Sequence, residues 1–406
     1  MTCAQYSSTY DALILGSGLA GSSVADAMAT RGASSLILEA GSSIAPKASG
    51  NPLALITPYL TDKPSPREML YTSGYNFSLQ LLLKNSLCDS VFNQCGALQL
   101  PSTKRLTTLL RSSQPFLGEA KTRRVSAQEA NAISGIPINS EAFFTETAGC
   151  LDPRAFIKQY FLPDSKRIHI RFDSTVCDLR YSNNLWQAQT RDGATFSAPI
   201  AILCGAYETS SLKPTSWIPL EAIRGQTELV PTTPLLSSLK TALCYGGYIT
   251  PTRNGYTMIG ALYRHSDRSE LPDINDTRAI LAEASETVAS LTLSPVDSDP
   301  RVCFRTSTFD RIPYIGEVPD FNRMLSSATT LRSGSNLQKN IPIQCLPGLY
   351  ISAGHGSRGV LSCPIGAELI ARLITKEPLQ ELSALYDIVS PSRLPYRVIR
   401  SRLQDQ

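Results

Sequence analysis

Residues 11–21 read Asp-Ala-Leu-Ile-Leu-Gly-Ser-Gly-Leu-Ala-Gly, and a second apolar run, Leu36-Ile37-Leu38, ends on Glu39. Gly16 suits a tight turn at the end of a buried strand. Gly18 lets a pyrophosphate approach the main chain, and Gly21 lets the following helix pack on that strand. The helix start, with Leu19 and Ala20, offers free N–H groups to phosphates. Glu39, eighteen residues beyond Gly21, sits where an acid accepts hydrogen bonds from an adenosine ribose. An ordinary glycine-rich βα turn would share the glycines, but not strand, turn, helix, strand and acid in register.

A second turn, Ala353-Gly354-His355-Gly356-Ser357-Arg358-Gly359, repeats this chemistry. Its helix start presents N–H groups and a positive dipole end to something electron-rich. Two such turns suit one long cofactor, FAD, with its pyrophosphate at Gly16–Gly21 and its isoalloxazine against Gly354–Gly359. A helix N-terminus there stabilises negative charge near flavin N1. A helix start with glycines for packing is the plainer alternative. The third stretch is Arg305-Thr306-Ser307-Thr308-Phe309-Asp310-Arg311-Ile312-Pro313-Tyr314-Ile315-Gly316. Arg305 could hold a carboxylate bidentately or pair with Asp310. Tyr248 could donate its phenol to the same carboxylate or simply pack in a core.

The elements that must position these residues follow from pattern and punctuation. Leu19–Thr30 predicts a helix stopped by Gly32. A Ser/Pro/Gly-rich loop over 41–51 precedes an apolar stretch, Pro52–Leu60, and an amphipathic helix over Arg67–Leu87. Residues 97–135 mix short apolar runs with Lys104, Arg105, Arg111, Lys121, Arg123 and Arg124. Strands are expected over 168–172 and 175–179, then a hairpin about Asp192-Gly193. The strand over 199–206 ends in Cys204-Gly205-Ala206, small residues against which a large cofactor can lie. Long alternating strands follow at Gly225–Pro231, Leu243–Pro251 and Gly255–Leu262, with a helix over Asp276–Leu291. Gly348–Gly354 reads as a buried strand and Gly359–Thr375 as a helix.

The expected fold class is therefore α/β. It has a discontinuous Rossmann-like FAD-binding domain (8–65, 140–215 and 340–380) and an inserted, mostly antiparallel α+β substrate domain (66–139 and 216–339). A basic C-terminal tail follows (381–406).

With 406 residues, 42% hydrophobic and 18% charged, the chain has the composition of a folded protein with room for two domains. Its net charge of +4 permits a polyanionic partner without demanding one. The N-terminus carries no positive leader, and no run approaches the ~20 apolar residues of a membrane helix. The ten cysteines form no CxxC pair and read as thiols of a reducing cytosol. Three histidines without ligand spacing argue against a metal. The expected location is cytoplasmic, with no membrane partner.

Taken together, the three segments resemble the glycine/D-amino-acid oxidase (DAO) family of FAD enzymes. The resemblance implies that Arg305 and Tyr248 bind a substrate carboxylate. A closer likeness is to the FAD-dependent oxidase half of the bifunctional tRNA-modifying MnmC family. It rests on Ala48-Ser49-Gly50-Asn51 with Pro58, Ile223-Arg224-Gly225-Gln226, Leu243–Pro251, Gly356–Pro364 and the arginines of Pro391–Leu403. Expected cofactor contacts then include Ala48, Ser49, Gly50, Asn51, Val176, Cys204, Gly205, Ala206 and Ile312, besides the two glycine turns.

The implied reaction removes the carboxymethyl group of 5-carboxymethylaminomethyluridine at the tRNA wobble position, leaving 5-aminomethyluridine and glyoxylate. Dioxygen would be the electron acceptor, and a separate methyltransferase a possible partner. Arg305 would fix the carboxylate so that the neighbouring CH₂ meets flavin N5, and the neutral amine would need no general base. His355 would influence reoxidation or serve structurally. Cys303 has the spacing of a flavin-tethering cysteine in sarcosine oxidases, but the tRNA-modifying relatives lack it, so FAD is expected to be non-covalent.

RNA contacts would fall to Lys121, Arg123 and Arg124 and to Arg393, Arg397, Arg400 and Arg402, unless these are solvated faces. Two other readings stay open: a small-molecule amine oxidase for glycine, sarcosine or a D-amino acid, and a non-catalytic flavin-binding scaffold. A nicotinamide dehydrogenase would not need the second glycine turn.

Overall fold

A computed structural model describes residues 10–84, 91–101, 104–111, 121–162, 166–329 and 341–404. The chain divides into two compact units, one made of Met1–Ser49, Ile157–Glu221 and Thr306–Gln406, the other of Gly50–Phe156 and Ala222–Arg305.

The first unit is built on a six-stranded sheet. Strand β1 (Ala12–Leu15) is an unbroken apolar run, the pattern of a parallel strand covered on both faces. It pairs in parallel with β2 (Ser35–Leu38) on one side and with Ile200–Leu203 on the other. The strand Cys345–Ala353 adds in parallel beyond Ile200–Leu203, and Ile168–Arg171 beyond β2. Tyr314–Pro319 closes the far edge antiparallel.

Helix α1 (Leu19–Thr30) ends where expected. The N–H of Arg31 bonds to Met28 O, and Gly32 follows at φ +86°. The helix Gly359–Thr375 also has the expected bounds and packs beside α1. Leu13, Leu36, Leu203, Ile351, Trp186 and Tyr314 join one core, and the Trp186 indole N–H bonds to Pro347 O at 2.8 Å.

The second unit carries an eight-stranded sheet in the order 299–307, 221–231, 256–264, 248–249, 242–244, 97–99, 142–145, 122–125. From 221–231 to 122–125 neighbouring strands pair antiparallel, except that Ala242–Cys244 runs parallel to Ala97–Gln99. Leu243–Pro251, expected as one long strand, is instead a tight hairpin of Ala242–Cys244 against Tyr248–Ile249. Tyr245 N–H bonds to Gly247 O at 2.9 Å, and a Cβ on Gly247 would stand 2.2 Å from Gly260 O. The Gly-Gly pair thus serves the turn and a close strand approach together.

The division also falls differently from the one expected. Ala54–Ile56 pairs with Gly149–Leu151, and Ala97–Gln99 with Ala142–Thr145, so 50–65 and 140–156 go with the second unit. Tyr314–Pro319 pairs with Cys345–Ala353, which takes it into the first. Long-range pairing decides these memberships, and no local pattern announces it. The expected helix over Arg67–Leu87 runs Pro66–Lys84, with 85–87 outside the described residues. That over Asp276–Leu291 runs Ile274–Thr287 behind the N-cap Asp273, whose carboxylate accepts from Asn275 N–H at 2.8 Å.

The tail is fastened by Arg393. Its guanidinium donates to Asp310 Oδ2 at 3.1 Å, Ile312 O at 2.6 Å and Val389 O at 2.8 Å, and lies 4.3 Å from the Tyr314 ring centre. Arg397 caps the Phe309 ring at 3.9 Å. These two arginines, expected to face RNA, serve the packing of their own unit. The side chains of Arg400 and Arg402 lie outside the described residues, as do those of Lys104 and Arg105.

A buried polar network orders the second unit. Arg224, 1% exposed, donates to Asp276 Oδ2 at 2.7 Å, Gln226 Oε1 at 3.0 Å, Leu271 O at 2.7 Å and Ser269 O at 3.0 Å. Gln226 donates onward to Glu228 Oε1 at 2.9 Å and Asp273 O at 3.0 Å. Strand 221–231 and helix Ile274–Thr287 are thereby locked in one register. Removing one partner leaves a desolvated charge, so Asp276→Ala is expected to cost ~3–5 kcal/mol. Arg224→Met combined with Asp276→Leu should recover much of that loss, as read from urea unfolding of each variant.

Candidate flavin cradle and arginine cluster

In the first unit, β1 delivers the chain into a turn at Gly16, where φ is +106°. A Cβ there would stand 2.8 Å from Cys204 O, and one on Gly21 only 1.9 Å from Gly16 O. The helix start therefore seats directly on the turn, as the glycine spacing requires. Gly18 is the N-cap of α1 and supplies no side-chain cap, so the end stays a positive, hydrogen-bonding pole. Ser49, in the 3₁₀ turn Ala48–Gly50, reaches over it and accepts from Leu19 N–H at 3.1 Å.

Glu39 is 5% exposed, and its carboxylate organises the turn. Oε2 accepts from Ser17 N–H at 2.8 Å and from the Ser17 hydroxyl at 2.7 Å, while Oε1 accepts from Gly41 N–H at 2.8 Å. The residue expected at a ribose thus also fixes the loop after β2. Ser17, which sequence reasoning passed over as a spacer, is its main partner.

The second glycine turn lies beside the first. Gly354 and Gly356 have φ of +81° and +58°, and a Cβ on Gly354 would stand 2.5 Å from Thr308 Cγ2. A Cβ on Gly359 would be 3.7 Å from His355 Cβ and 4.0 Å from Leu19 Cδ1, so the two helix starts are neighbours. The helix at Gly359 has Arg358 as N-cap and no side-chain cap. Its exposed pole therefore parallels that of α1.

His355 is held between Ser352 Oγ at 3.1 Å and Ser362 Oγ at 2.8 Å. Burial pulls its imidazole down to about 4, only partly offset by the Ser352 backbone, so the ring is neutral at physiological pH.

Val176 opens the hairpin Val176–Thr190, and Cys204-Gly205-Ala206 follows the strand beside β1, Ala206 at φ +57°. Burial pushes the Cys204 thiol far up, which keeps it an uncharged wall. Ile312 has its N–H on Asp310 Oδ1 at 3.0 Å and its carbonyl on Thr308 Oγ1 at 2.8 Å, besides the bond from Arg393. Among the described residues, five buried hydroxyls lack a protein partner, those of Ser35, Thr209, Thr241, Thr306 and Tyr314, and two of them adjoin the glycine turns. Thr209 Oγ1 is 3.5 Å from where a Gly205 Cβ would be, and Thr306 gives its carbonyl to Gly356 N–H at 2.8 Å. Open helix poles, crowded glycines and orphan hydroxyls in one unit are what an anionic dinucleotide with a polar ring would fill.

The second unit holds the other cluster. Arg305, on the strand Asp299–Ser307, lies 4.3 Å from the Tyr263 ring centre, a cation–π contact. Tyr248 stands close by. Burial pushes its hydroxyl well up, Tyr263 adds to that, and the Arg305 charge opposes it. Its phenol therefore remains a donor. Its ring is accommodated by Gly260, where a Cβ would meet Tyr248 Cε1 at 3.1 Å.

Asp310, considered as the partner of Arg305, is engaged by Arg393 at 3.1 Å and Thr308 Oγ1 at 2.9 Å. Asn51, expected at the cofactor, accepts in the second unit from the Arg301 guanidinium and from the Cys303 thiol at 3.8 Å. Arg301, Cys303 and Arg305 alternate along one strand and so share a face. Tyr263 and Arg301 escaped the sequence reading because a tyrosine or arginine on an alternating strand carries no local mark of function.

Of the basic positions, Arg123 is ion-paired with Glu129 and lies 5.7 Å from the Phe144 ring centre, while Arg124 donates to Leu109 O at 3.0 Å. Lys121, Thr122, Arg123, Phe144 and Glu146 line a cavity of about 500 Å³.

Fold and site together define a flavin-dependent oxidoreductase. Residues 11–373 match the family model "DAO: FAD dependent oxidoreductase", and the chain belongs to that family, with FAD as its cofactor. Curated relatives named tRNA 5-methylaminomethyl-2-thiouridine biosynthesis bifunctional protein MnmC are similar over nearly the whole chain. That of Chromobacterium violaceum is 31% identical over 403 residues, 97% of this chain and 60% of its own length. That of Pseudomonas putida (strain W619) is 30% identical over 398 residues, 95% of this chain and 60% of its own length. The chain thus spans about three fifths of these relatives.

Among solved structures, glycine oxidase from Bacillus cereus is similar in fold at TM-score 0.70 and 20% identity, covering 91% of this chain and 98% of that one. L-proline dehydrogenase from P. horikoshii is similar at TM-score 0.71 and 16% identity, covering 94% and 98%. No helix among the described residues is long and apolar enough to cross a membrane.

His355 yields a pH prediction. The unfolded imidazole takes its proton near 6.5 and the folded one only near 4, so between these values the unfolded state binds more protons. Stability should fall as pH drops through that window, by at most ~1.4 kcal/mol per pH unit, and gain nothing from this group above it. Denaturant unfolding from pH 7 to 4.5 should show a shallower decline for His355→Asn.

Proposed function

We propose that this chain is the oxidative component of tRNA wobble-uridine modification, oxidising the CH–NH bond of a carboxymethylamino group. The substrate in this reading is 5-carboxymethylaminomethyluridine, and the products are 5-aminomethyluridine and glyoxylate. One observation carries it. About 30% identity to tRNA-biosynthesis proteins extends over 95% of the chain, and this chain's own arginine–tyrosine cluster suits a substrate carboxylate.

FAD, when bound, would accept a hydride, and with it two electrons, from the carbon beside the amine. The chain's own part is positioning. Arg305 presents a planar fork to the carboxylate, held flat by the Tyr263 ring, and the protonated Tyr248 hydroxyl adds a hydrogen bond. Fixing the carboxylate fixes the adjacent CH₂, a gain mainly of orientation. His355, neutral and hydrogen-bonded to two serines, keeps the second glycine turn in shape without adding charge.

The open helix poles at Gly18 and Arg358, with Ser49 and Glu39, would hold the pyrophosphate, the flavin ring and the ribose. Dioxygen is the acceptor in this scheme, the compartment is the cytoplasm, and a methyltransferase acting on 5-aminomethyluridine is the expected partner activity. Lys121 and the Arg123–Phe144 edge are the proposed tRNA contacts of the second unit.

The reading is tested by incubating the purified flavoprotein with tRNA carrying the carboxymethylamino group, and separately with glycine and sarcosine, then analysing nucleosides, glyoxylate and peroxide. Conversion of the nucleoside is expected. Oxidation of the free amino acids with untouched tRNA would overturn the reading in favour of a small-molecule amine oxidase. Arg305→Leu should abolish turnover while the bound flavin spectrum is retained. Arg305→Lys should lose at least ~100-fold in kcat/KM, because a point charge does not replace a bidentate fork.

A further inference from the structure

Apart from the arginine cluster, the second unit holds two thiols face to face. Cys95 is half-buried, Cys150 is buried, both are free, and their sulfurs lie 3.9 Å apart. The segments that carry them are held on both sides. Asn93 pairs with Cys150 in an antiparallel ladder, and Gly96 N–H bonds to Ala148 O at 2.9 Å. A disulfide needs the sulfurs at ~2.05 Å, so closure asks the two thiols to approach further. Leu53, Ala97, Ala148, Ala242 and Met258 wall the pair in, and Tyr248 packs against the same cluster.

The two sulfurs are not equivalent. The hydrogen bond with Cys150 draws the Cys95 thiol below its ordinary value, while the same bond and burial push Cys150 well up. The more accessible sulfur is therefore also the readier thiolate, and the buried one is placed to resolve.

We propose that Cys95 and Cys150 form a peroxide-reactive dithiol that closes to a reversible disulfide. The Cys95 thiolate attacks one oxygen of hydrogen peroxide and the O–O bond breaks, leaving a sulfenic acid. The departing hydroxide takes the proton Cys95 released and leaves as water. Cys150 sulfur then attacks Cys95 sulfur, the S–O bond breaks, and the leaving hydroxyl departs with the Cys150 proton as a second water. Two thiols lose two electrons and two protons, and one peroxide becomes two waters. A dithiol reductant reverses the change by exchange.

The test treats the purified FAD-loaded protein with a slight excess of hydrogen peroxide, followed by non-reducing peptide mass spectrometry. A linked peptide pair containing Cys95 and Cys150 is expected, forming faster than oxidation of the exposed Cys177 and lost on adding dithiothreitol. In Cys150→Ser, Cys95 should persist as a sulfenic acid trapped by dimedone. In Cys95→Ser, Cys150 should stay unmodified. Cys95 unmodified, stably sulfenylated or linked to another cysteine in the wild-type protein would overturn the proposal. Should a variant fail to retain flavin, the wild-type peptide map decides alone.

Discussion

The first unit depends on how closely α1 approaches the turn that feeds it. With 1.9 Å between the Gly16 carbonyl and the place where a Gly21 Cβ would be, no other residue fits without moving the helix off the sheet. That seat sets the N-terminal pole of α1 at Gly18, where Ser49 Oγ accepts from Leu19 N–H at 3.1 Å. It also brings Leu19 within contact of the second helix start at Gly359. Glu39 and Ser17 then tie the loop after β2 to the same turn, so one carboxylate shapes both segments. Two positive poles side by side, with no acidic residue in either first turn, form an electrostatic cradle made of backbone alone.

The chain's cations are sorted by what answers them. Arg224 is fully desolvated and meets a carboxylate, an amide and two carbonyls, which makes it a fastener whose removal exposes uncompensated charge. Arg393 fastens the tail with Asp310 and four carbonyls. Arg305 is answered by Tyr263, whose ring centre lies 4.3 Å from its guanidinium carbon. Similar side chains thus take unlike roles. Only the acceptors gathered around each one separate structure from chemistry.

How much was legible follows the same physics. The helices Leu19–Thr30 and Gly359–Thr375 were readable to the residue, because glycine punctuation and long apolar faces are local signals. The segment Leu243–Pro251 misled, since its alternation is that of a strand. The turn at Tyr245–Gly247 is imposed by a neighbouring strand approaching Gly247. Arg393 and Arg397 looked like solvent-facing charges because Asp310, Tyr314 and Phe309 lie some eighty residues away in the chain.

By itself the sequence marked the two glycine turns and led to the expectation of FAD, which the family match bears out, because backbone conformations that only glycine tolerates leave their mark at fixed spacings. It also marked Arg305 and Tyr248 as a pair worth testing. Only the tertiary structure decided that Tyr263 carries the Arg305 guanidinium, that Asn51 answers Arg301, that Glu39 is bound by Ser17, and that Cys95 faces Cys150. Each of these joins residues that pairing across a sheet or packing of a loop brings together. Contacts of that kind depend on the register of distant segments, which no local stretch of residues encodes.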